Sequence, residues 1–394
     1  MQKRILVLLL SAVKFTHIMD VMIMMPLSDI FMKEFGIKAS QFSYLISSYA
    51  IGAFFSSLLG VFTLDYFGRR QSLLFVYGGF TISTFFCGWA DSYEALLALR
   101  FVTGIFGGLI GALALAIVSD LYSFKQRGKA IGILMAAFSA ASALGVPFGL
   151  YFAAVYTWSF PFYFLAAIGL VLFIWMYFIM PEMMAHTEQE KRSIRQTVQD
   201  IVQDSNQTRA LWLGVFLVLG HFLVIPFITP SMVRNVGFEQ YQISYIYLAG
   251  GILTIVTGPL IGWITDRYGA LRTFFVVVVL SFIPVLFITN MGPTAIPVAL
   301  IVTSLFFVLG SGRMIAPNTM ITAAVGPKTR GSFMSVKSAL QQLSVAMASL
   351  IAGAIVYVNE EGQLDNYYYV GFLSIAFCLL AMWIAPKLKV ASGN

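Results

Sequence analysis

Three ionisable side chains interrupt the first apolar stretch of the chain, where residues 14–26 read KFTHIMDVMIMMP. Lys14, His17 and Asp20 recur at every third position, and three residues of an α-helix turn a side chain by about −60°, so the three share one broad face. Charges within a bilayer are costly unless they face a bundle interior or a water-filled cavity. The spacing predicts a helix whose polar face borders a wet cleft, where it could bind protons or charged solutes.

Asp20 is the only acidic residue that we place inside an apolar span and away from its ends. In a low-dielectric cleft a carboxylate resists ionisation unless a cation lies near it. Asp20 could therefore carry a proton in one state and, when ionised, hold a cation or pair with Lys14, His17 or Arg313. A purely structural ion pair is the alternative. Lys14 and Asp20 lie about 9 Å apart along the helix axis, which favours a partner on another helix.

The composition is that of a membrane protein. Hydrophobic residues make up 59% of the 394, charged residues 10%, and the mean hydropathy is +0.86, whereas soluble domains contain about 25% charged residues. A spanning helix needs about 20 apolar residues. Runs of that length predict an all-α membrane protein with twelve transmembrane helices, near 5–28, 42–64, 72–90, 95–119, 129–153, 159–180, 211–230, 241–264, 273–290, 295–317, 331–357 and 367–385.

Lysine and arginine are concentrated in alternate segments between these spans, and the other segments hold only Lys33, Lys38 and Arg234. Basic residues remain cytoplasmic. We therefore expect a protein of the cell inner membrane with both termini on the cytoplasmic side. The net charge of +7 follows from this asymmetry and gives no support for a nucleic-acid role. The start MQKRILVLLLSA has features of a secretory signal, but its apolar run continues to Met25, which favours a retained first span.

A polar stretch, residues 181–209, divides the chain into two sets of six spans at 1–180 and 210–394. Ile194, Val198, Ile201 and Val202 repeat there at helical spacing, which predicts either an amphipathic helix on the inner membrane face or a solvated tether.

The two halves repeat one another in four places and in the same order. LDYFGRR (64–70) recurs as TDRYGALR (265–272), FVTG (101–104) as FVLG (307–310), and Arg-Gly at 127–128 as Arg-Gly at 330–331. His17, nine residues before Pro26, matches His221, nine before Pro230. Duplicated halves with a site near the midplane between them are a transporter architecture.

Over nearly its whole length the chain resembles the major facilitator superfamily, which implies two pseudo-symmetric six-helix bundles. VFTLDYFGRRQ (61–71) is similar to the family signature G-x-x-x-D-R-x-G-R-R, although Tyr66 replaces the first arginine and Gly60 lies one residue early. In the family this element latches the halves together in one state. The resemblance implies a gating role for the matching residues and for their second-half counterparts, which are Asp65, Gly68, Arg69, Arg70, Asp266, Arg267 and Gly269.

Two further motifs indicate a branch of the family. LRFVTGIFGG (99–108) resembles the fourth-helix motif R-x-x-x-G, carried by Arg100 and Gly104, and implies a structural or proton-relay role for Arg100. SALGVPFG (142–149) resembles the fifth-helix motif of drug:proton antiporters, with Gly145, Pro147 and Gly149 in place. The glycines could serve gating or ordinary helix packing. This motif implies proton-coupled export.

In this family helices 1, 4, 7 and 10 line a central cavity. The resemblance places a set of polar residues, including some of helix 11, at that cavity: Lys14, His17, Asp20, His221, Arg313, Asn318, Lys337 and Gln341. Histidine has an ordinary pKa near neutral pH, so the matched histidines could contact substrate or protons, or simply pack. Cationic groups outnumber anionic ones in this set, which favours an organic anion or zwitterion over a lipophilic cation.

We therefore predict a secondary active transporter that exports a small organic solute against protons by alternating access, with an importer or facilitator of an organic anion or zwitterion as the alternative. An enzyme is not expected, because the sequence has no HExxH motif, no GxSG-type serine frame and no paired intramembrane aspartates. Cys87 and Cys378 lack metal-type spacing, so neither a metal nor another cofactor is expected. We expect a monomer in the bilayer whose partners are its substrate and protons.

Overall fold

The computed structural model describes residues 2–63, 68–122, 124–182, 194–326 and 329–390, and this part of the chain is almost entirely helical. Its α-helices are α1 (Gln2–Ile23), α2 (Ser28–Glu34), α3 (Ala39–Thr63), α4 (Arg69–Gly88), α5 (Tyr93–Leu121), α6 (Phe124–Ala140), α7 (Val146–Val155), α8 (Phe160–Ile179), α9 (Ile194–Gln203), α10 (Ser205–Phe222), α11 (Ile225–Ser231), α12 (Ile243–Tyr268), α13 (Ala270–Asn290), α14 (Ile296–Ala323), α15 (Arg330–Ile355) and α16 (Tyr367–Ile384). Two short antiparallel strands, β1 (Tyr357–Val358) and β2 (Leu364–Asp365), form a hairpin between α15 and α16.

Within the described residues, eleven helical segments are long and apolar enough to cross a membrane, and the 20-residue helix α4 occupies the remaining predicted span. Two spans contain π-helical turns, one within the span and one at its end. One consists of α6, the π turn Ala141–Gly145 and α7; the other consists of α10, α11 and the π turn Met232–Val236. The predicted all-α fold of twelve transmembrane helices is confirmed. The predicted first span, 5–28, is too long, since α1 ends at Ile23 and α2 begins at Ser28.

Local sequence explains where several helices begin and end. The Ser92 side chain accepts a hydrogen bond from the Ala95 amide at the start of α5, and Asp204 accepts bonds from the Asn206 and Gln207 amides at the start of α10. Such caps satisfy amides that lack helical partners. Gly269 separates α12 from α13 with φ of +91°, a conformation that favours glycine.

The helix ends define two faces of the molecule. On one, which we call the basic face, Lys3 donates to the Leu121 carbonyl in the first half and Arg209 to the Lys387 carbonyl in the second. The even number of spans puts both ends of the described chain on this face. The opposite face carries α2, the β1–β2 hairpin and Arg234.

Core packing differs between these two faces. Toward the opposite face a single apolar cluster contains residues from both halves, with the rings of Phe42 and Phe227 in edge-to-face contact at 6.5 Å. Toward the basic face each half has its own cluster, one around Leu113 and Leu134 and the other around Phe274. The two halves are therefore packed together at the opposite face and form separate cores toward the basic face.

Polar contacts join α3 and α15 where the halves meet. Ser47 donates to the Ala346 carbonyl at 3.0 Å, and Ser349 donates to the Ser43 carbonyl at 3.2 Å. Gly353 allows this approach, because a Cβ at that position would lie 2.1 Å from the Ser43 Oγ. This state of the molecule is closed at the opposite face.

Many large apolar side chains lie on the outside of the helices. Phe75, Phe178, Trp89 and Val256 are each more than half exposed. In a chain of this hydropathy such surfaces face lipid, which accounts for much of the aromatic content.

Candidate functional site

The intramembrane carboxylate Asp20 is held by Arg100. Its Oδ2 lies 2.8 Å from the Arg100 Nη1, and the two side chains are 0% and 2% exposed. Thr84 donates to the Asp20 Oδ1 at 3.4 Å, so α1, α4 and α5 all contribute to the site. Of the partners considered for Asp20, namely Lys14, His17 and Arg313, none pairs with it in this state. The ion pair with Arg100 on α5 is a correction to that expectation.

Tyr49 connects this ion pair to His17. The Arg100 guanidinium lies 4.6 Å from the centre of the Tyr49 ring, a cation–π arrangement, and the Tyr49 hydroxyl is 2.9 Å from the His17 Nε2. Gly104 makes this geometry possible, since a Cβ there would lie 2.1 Å from the Tyr49 carbonyl oxygen. The R-x-x-x-G motif thus provides one buried cation and, one turn later, the small residue that lets α3 approach.

The ion pair lies next to the boundary between the halves. A cavity of about 60 Å³ is bordered by Arg100 and Tyr49 from the first half and by Phe222, Gln342 and Val345 from the second. A change in the charge of the pair would therefore alter the electrostatic field at the surface where the halves meet.

The second half contains a different arrangement around its own histidine. Arg313, 1% exposed, donates from Nη2 to the His221 Nδ1 at 3.0 Å and from Nη1 to the Cys378 Sγ at 3.4 Å. Since arginine stays protonated, His221 accepts at Nδ1 and carries its proton on Nε2. The His221 ring stacks on Phe306 at 5.6 Å. The matched histidines thus have unlike neighbours, a tyrosine hydroxyl in one half and a guanidinium in the other.

Three more predicted cavity residues lie on α14 and α15. The Lys337 Nζ is 2.5 Å from the Asn318 Oδ1, and Lys337 is 8% exposed. Asn318 borders a cavity of about 480 Å³ together with Thr319, Thr322 and Ala323. Gln341 is half-buried one turn beyond Lys337 on α15.

Lys14 lies apart from this group on α1. Its Nζ is 3.5 Å from the Met135 Sδ on α6, a weak contact between helices of the first half. The predicted polar face of α1 is thus divided among three neighbours: Met135 for Lys14, Tyr49 for His17, and Arg100 for Asp20.

The predicted gating residues of the first half have partners in that half. Arg69 lies 3.4 Å from Asp120, and Arg70 donates to the Tyr177 carbonyl at 2.6 Å. Gly68 immediately precedes α4. Asp65 lies outside the described residues.

The corresponding residues of the second half are at the end of α12. Arg267 lies over the Trp263 ring at 5.2 Å and near the Tyr268 ring at 5.8 Å. Asp266 is exposed, and Gly269 terminates the helix. The gating role of both sets stays a prediction.

The fifth-helix glycines pack against α1. A Cβ at Gly145 would lie 2.9 Å from the Met19 Sδ, and one at Gly149 would lie 2.6 Å from the Ile23 Cδ1. Pro147 occupies the first turn of α7, where proline is tolerated. These contacts favour the packing interpretation; a gating role stays a prediction.

Sequence reasoning missed an ion pair between the halves at the opposite face. Asp29 on α2, fully buried, lies 2.6 Å from the Arg234 Nε and 2.7 Å from the Lys33 Nζ. Arg234 also donates to the Gly362 carbonyl in the hairpin, at 3.3 Å. One sequence feature could have indicated this contact: the segments at the opposite face contain few basic residues, and Arg234 is one of them.

Arg234→Met is expected to destabilise this closed state by about 1.5–3 kcal/mol, the contribution of a hydrogen bond to a charged group. Lys33 limits the loss because it still neutralises Asp29. Thermal unfolding of the purified protein measures the effect, and the double variant Asp29→Asn/Arg234→Met should recover most of it, since it leaves no buried carboxylate. A double variant that is no more stable than Arg234→Met would show that the two residues are not coupled.

Comparison with known proteins supports the architecture. The sequence model of the Major Facilitator Superfamily matches residues 10–312 and also residues 210–393. The uncharacterized MFS-type transporter YceJ of Bacillus subtilis is 25% identical over 372 residues, covering 91% of this chain and 90% of that protein. Multidrug resistance protein 3 of Bacillus subtilis is 24% identical over 383 residues, covering 81% of this chain and 74% of that protein.

Among solved structures, a bacterial homologue of the human lysosomal transporter Spinster, inward-facing and unoccupied, superposes with a TM-score of 0.75. It is 14% identical, and the match covers 100% of this chain and 99% of that one. At this identity the likeness shows a shared fold.

Proposed function

Because the chain belongs to the major facilitator superfamily, and is thus a multi-pass membrane transporter, we propose that it exports a small organic solute in exchange for protons by alternating access. Export is supported by the L-G-V-P-x-G sequence in the fifth span and by its similarity to multidrug resistance protein 3. The basic face is assigned to the cytoplasm by the positive-inside rule, so both termini lie inside and the face at which this state is closed lies outside.

The observation that carries the proposal is the buried Asp20–Arg100 pair. Asp20 is the acid that the sequence places within the spans, and its partner reaches the cavity between the halves. Protonation of the carboxyl would remove one charge of the pair and leave the guanidinium free for other contacts. A proton that binds one conformation more tightly shifts the equilibrium between conformations.

The proton site and the solute path are both contained in one chain. The first half holds the ion pair, and the two halves together border the cavity beside it. A monomer in a cell inner membrane is therefore sufficient for the proposed cycle.

Asp20→Asn is expected to lower solute-dependent proton flux by about 5- to 150-fold, the range of typical coupling free energies. Asparagine keeps the size and a hydrogen-bond acceptor for Arg100 but cannot titrate. The assay uses inside-out vesicles with an acidic interior, in which a pH-sensitive dye reports proton flux. The solutes added are lipophilic cations such as ethidium or organic anions such as benzoate. Solute counterflow without a pH gradient should persist.

Asp91→Asn is the matched control, because Asp91 is exposed beyond the end of α4. After solute is added, this variant should dissipate the proton gradient as fast as the wild type does. Solute flux through the Asp20→Asn variant that still follows an imposed pH gradient would refute the coupling role. Solute entry that is driven by an inward proton gradient, with protons moving in the same direction as the solute and not in exchange for it, would support an importer instead.

A further inference from the structure

Three cations within the predicted spans and away from the span ends lack a carboxylate partner among the described residues. Asp20 is already paired with Arg100, and the other acidic residues of the sequence lie at span ends or between spans. Lys14 contacts a thioether, Arg313 contacts His221 and Cys378, and Lys337 contacts an amide. An ionisable residue within a membrane is costly and calls for a partner of opposite charge.

Lys337 is the cation whose hydrogen-bond partner borders an open cavity. It bonds to Asn318, and Asn318, Thr319 and Thr322 border the cavity of about 480 Å³ on the basic-face half of α14. This volume is within the usual range for small-molecule sites, about 300–1,000 Å³.

The hydrogen-bonding pattern leaves donors rather than acceptors available here. Lys337 donates to the Asn318 Oδ1, so the amide Nδ2 of Asn318 keeps its two hydrogens, and it has no acceptor in the part of the chain described. The hydroxyls of Thr319 and Thr322 donate to the carbonyls of Ala316 and Asn318. The ammonium of Lys337 and the amide of Asn318 are therefore the groups free to donate, which suits an acceptor such as a carboxylate.

We propose that this cavity binds the anionic group of the transported solute, with Lys337 and Asn318 as its binding residues, so that the substrate is an organic acid. The inference rests on the proposed transport function and specifies its substrate class. Arg313, on α14 like Asn318, adds positive charge in the second half, which attracts anions and disfavours lipophilic cations. The first half then holds a neutralised pair for protons, and the second holds two cations, Arg313 and Lys337, that have no carboxylate partner among the described residues.

The test measures thermal stabilisation of the purified full-length transporter by matched compounds. Benzoate, 1-naphthoate and decanoate are each compared with the corresponding neutral amide and amine, and inorganic phosphate separates organic acids from anions in general. We expect stabilisation by at least one carboxylate and none by its amide or amine. Equal stabilisation by the neutral compound, by the amine or by phosphate alone, or no stabilisation by any carboxylate, would overturn the proposal.

Variants of Lys337 locate the site. Lys337→Gln is expected to raise the carboxylate concentration for half-maximal stabilisation at least about tenfold, the effect of losing a charge-assisted hydrogen bond. Lys337→Arg should retain most of the affinity, and Lys38→Met, which removes an exposed charge at the opposite face, should match the wild type. Melting without ligand shows whether each variant folds. A Lys337→Gln variant that folds and binds as the wild type does would place the anion elsewhere.

Asp20→Asn separates this inference from the coupling proposal. It should still prefer carboxylates over their amides and amines while losing proton-coupled flux. Loss of coupling with no carboxylate preference would overturn only the substrate class. A carboxylate preference with coupling intact in Asp20→Asn would overturn only the proton site.

Discussion

Arg100→Met lowers the free energy of unfolding by about 3–5 kcal/mol, since it leaves the Asp20 carboxylate buried without its cation. The side chains of Asp20 and Arg100 are 0% and 2% exposed, so water cannot replace the lost partner. The double variant Asp20→Asn/Arg100→Met should recover most of that stability, because it removes both charges, and yet remain inactive in proton-coupled transport. Thermal unfolding and vesicle flux measure the two effects separately.

Arg100→Lys is the conservative comparison. It keeps the charge but loses the planar guanidinium that lies over the Tyr49 ring, so an intermediate loss is expected. Arg209→Met serves as the control for removing an arginine, since Arg209 is at the basic face and bonds to a carbonyl there; a change within about 1 kcal/mol is expected. Equal stability of Arg100→Met and the double variant would show that the pair is not coupled.

Gly353→Leu should prevent the two halves from closing at the opposite face. A Cβ at this position would lie 2.1 Å from the Ser43 Oγ and 3.2 Å from the Ser40 Cα, and the second distance is to backbone. Overpacking costs about 1–3 kcal/mol, which corresponds to a shift of about 5- to 150-fold toward the state open at the opposite face. Because alternating access needs both states, transport should fall as well.

Maleimide labelling of Ser47→Cys measures this opening. Ser47 is buried where α3 meets α15, and the native cysteines Cys87 and Cys378 are both buried and give a low background. Gly258→Leu is the matched control, since a Cβ there has no neighbour within 4 Å. Labelling of Ser47→Cys at the same rate with and without Gly353→Leu would contradict the expectation.

Most of the fold could be predicted from the sequence, because a bilayer requires long apolar helices and hydropathy records them directly. The helix in the polar stretch could also be predicted: α9 covers Ile194–Gln203, with Ile201 buried against the second half and Val198 and Val202 exposed. The π turns at Ala141–Gly145 and Met232–Val236 could not, since one extra residue in a helical turn leaves the apolar pattern almost unchanged.

The site could be predicted only in part. Periodicity places Lys14, His17 and Asp20 on one helix face, but it carries no distances between helices, so it does not identify Arg100 as the partner of Asp20. Arg100 was recognised from its motif, and the cation–π contact with Tyr49 depends on a close approach at Gly104 that appears only in three dimensions. The Asp29–Arg234 contact joins residues far apart in sequence, in segments that interhelical packing alone brings together.

The apolar cluster that spans both halves has a consequence for biosynthesis. As the ribosome releases the first six spans, Phe42 and its neighbours lack the rings that later cover them, among them Phe227. The apolar surface around Phe42 therefore stays uncovered in the bilayer until the second half is inserted. Separately translated halves should accordingly be degraded when made alone and protect each other when made together.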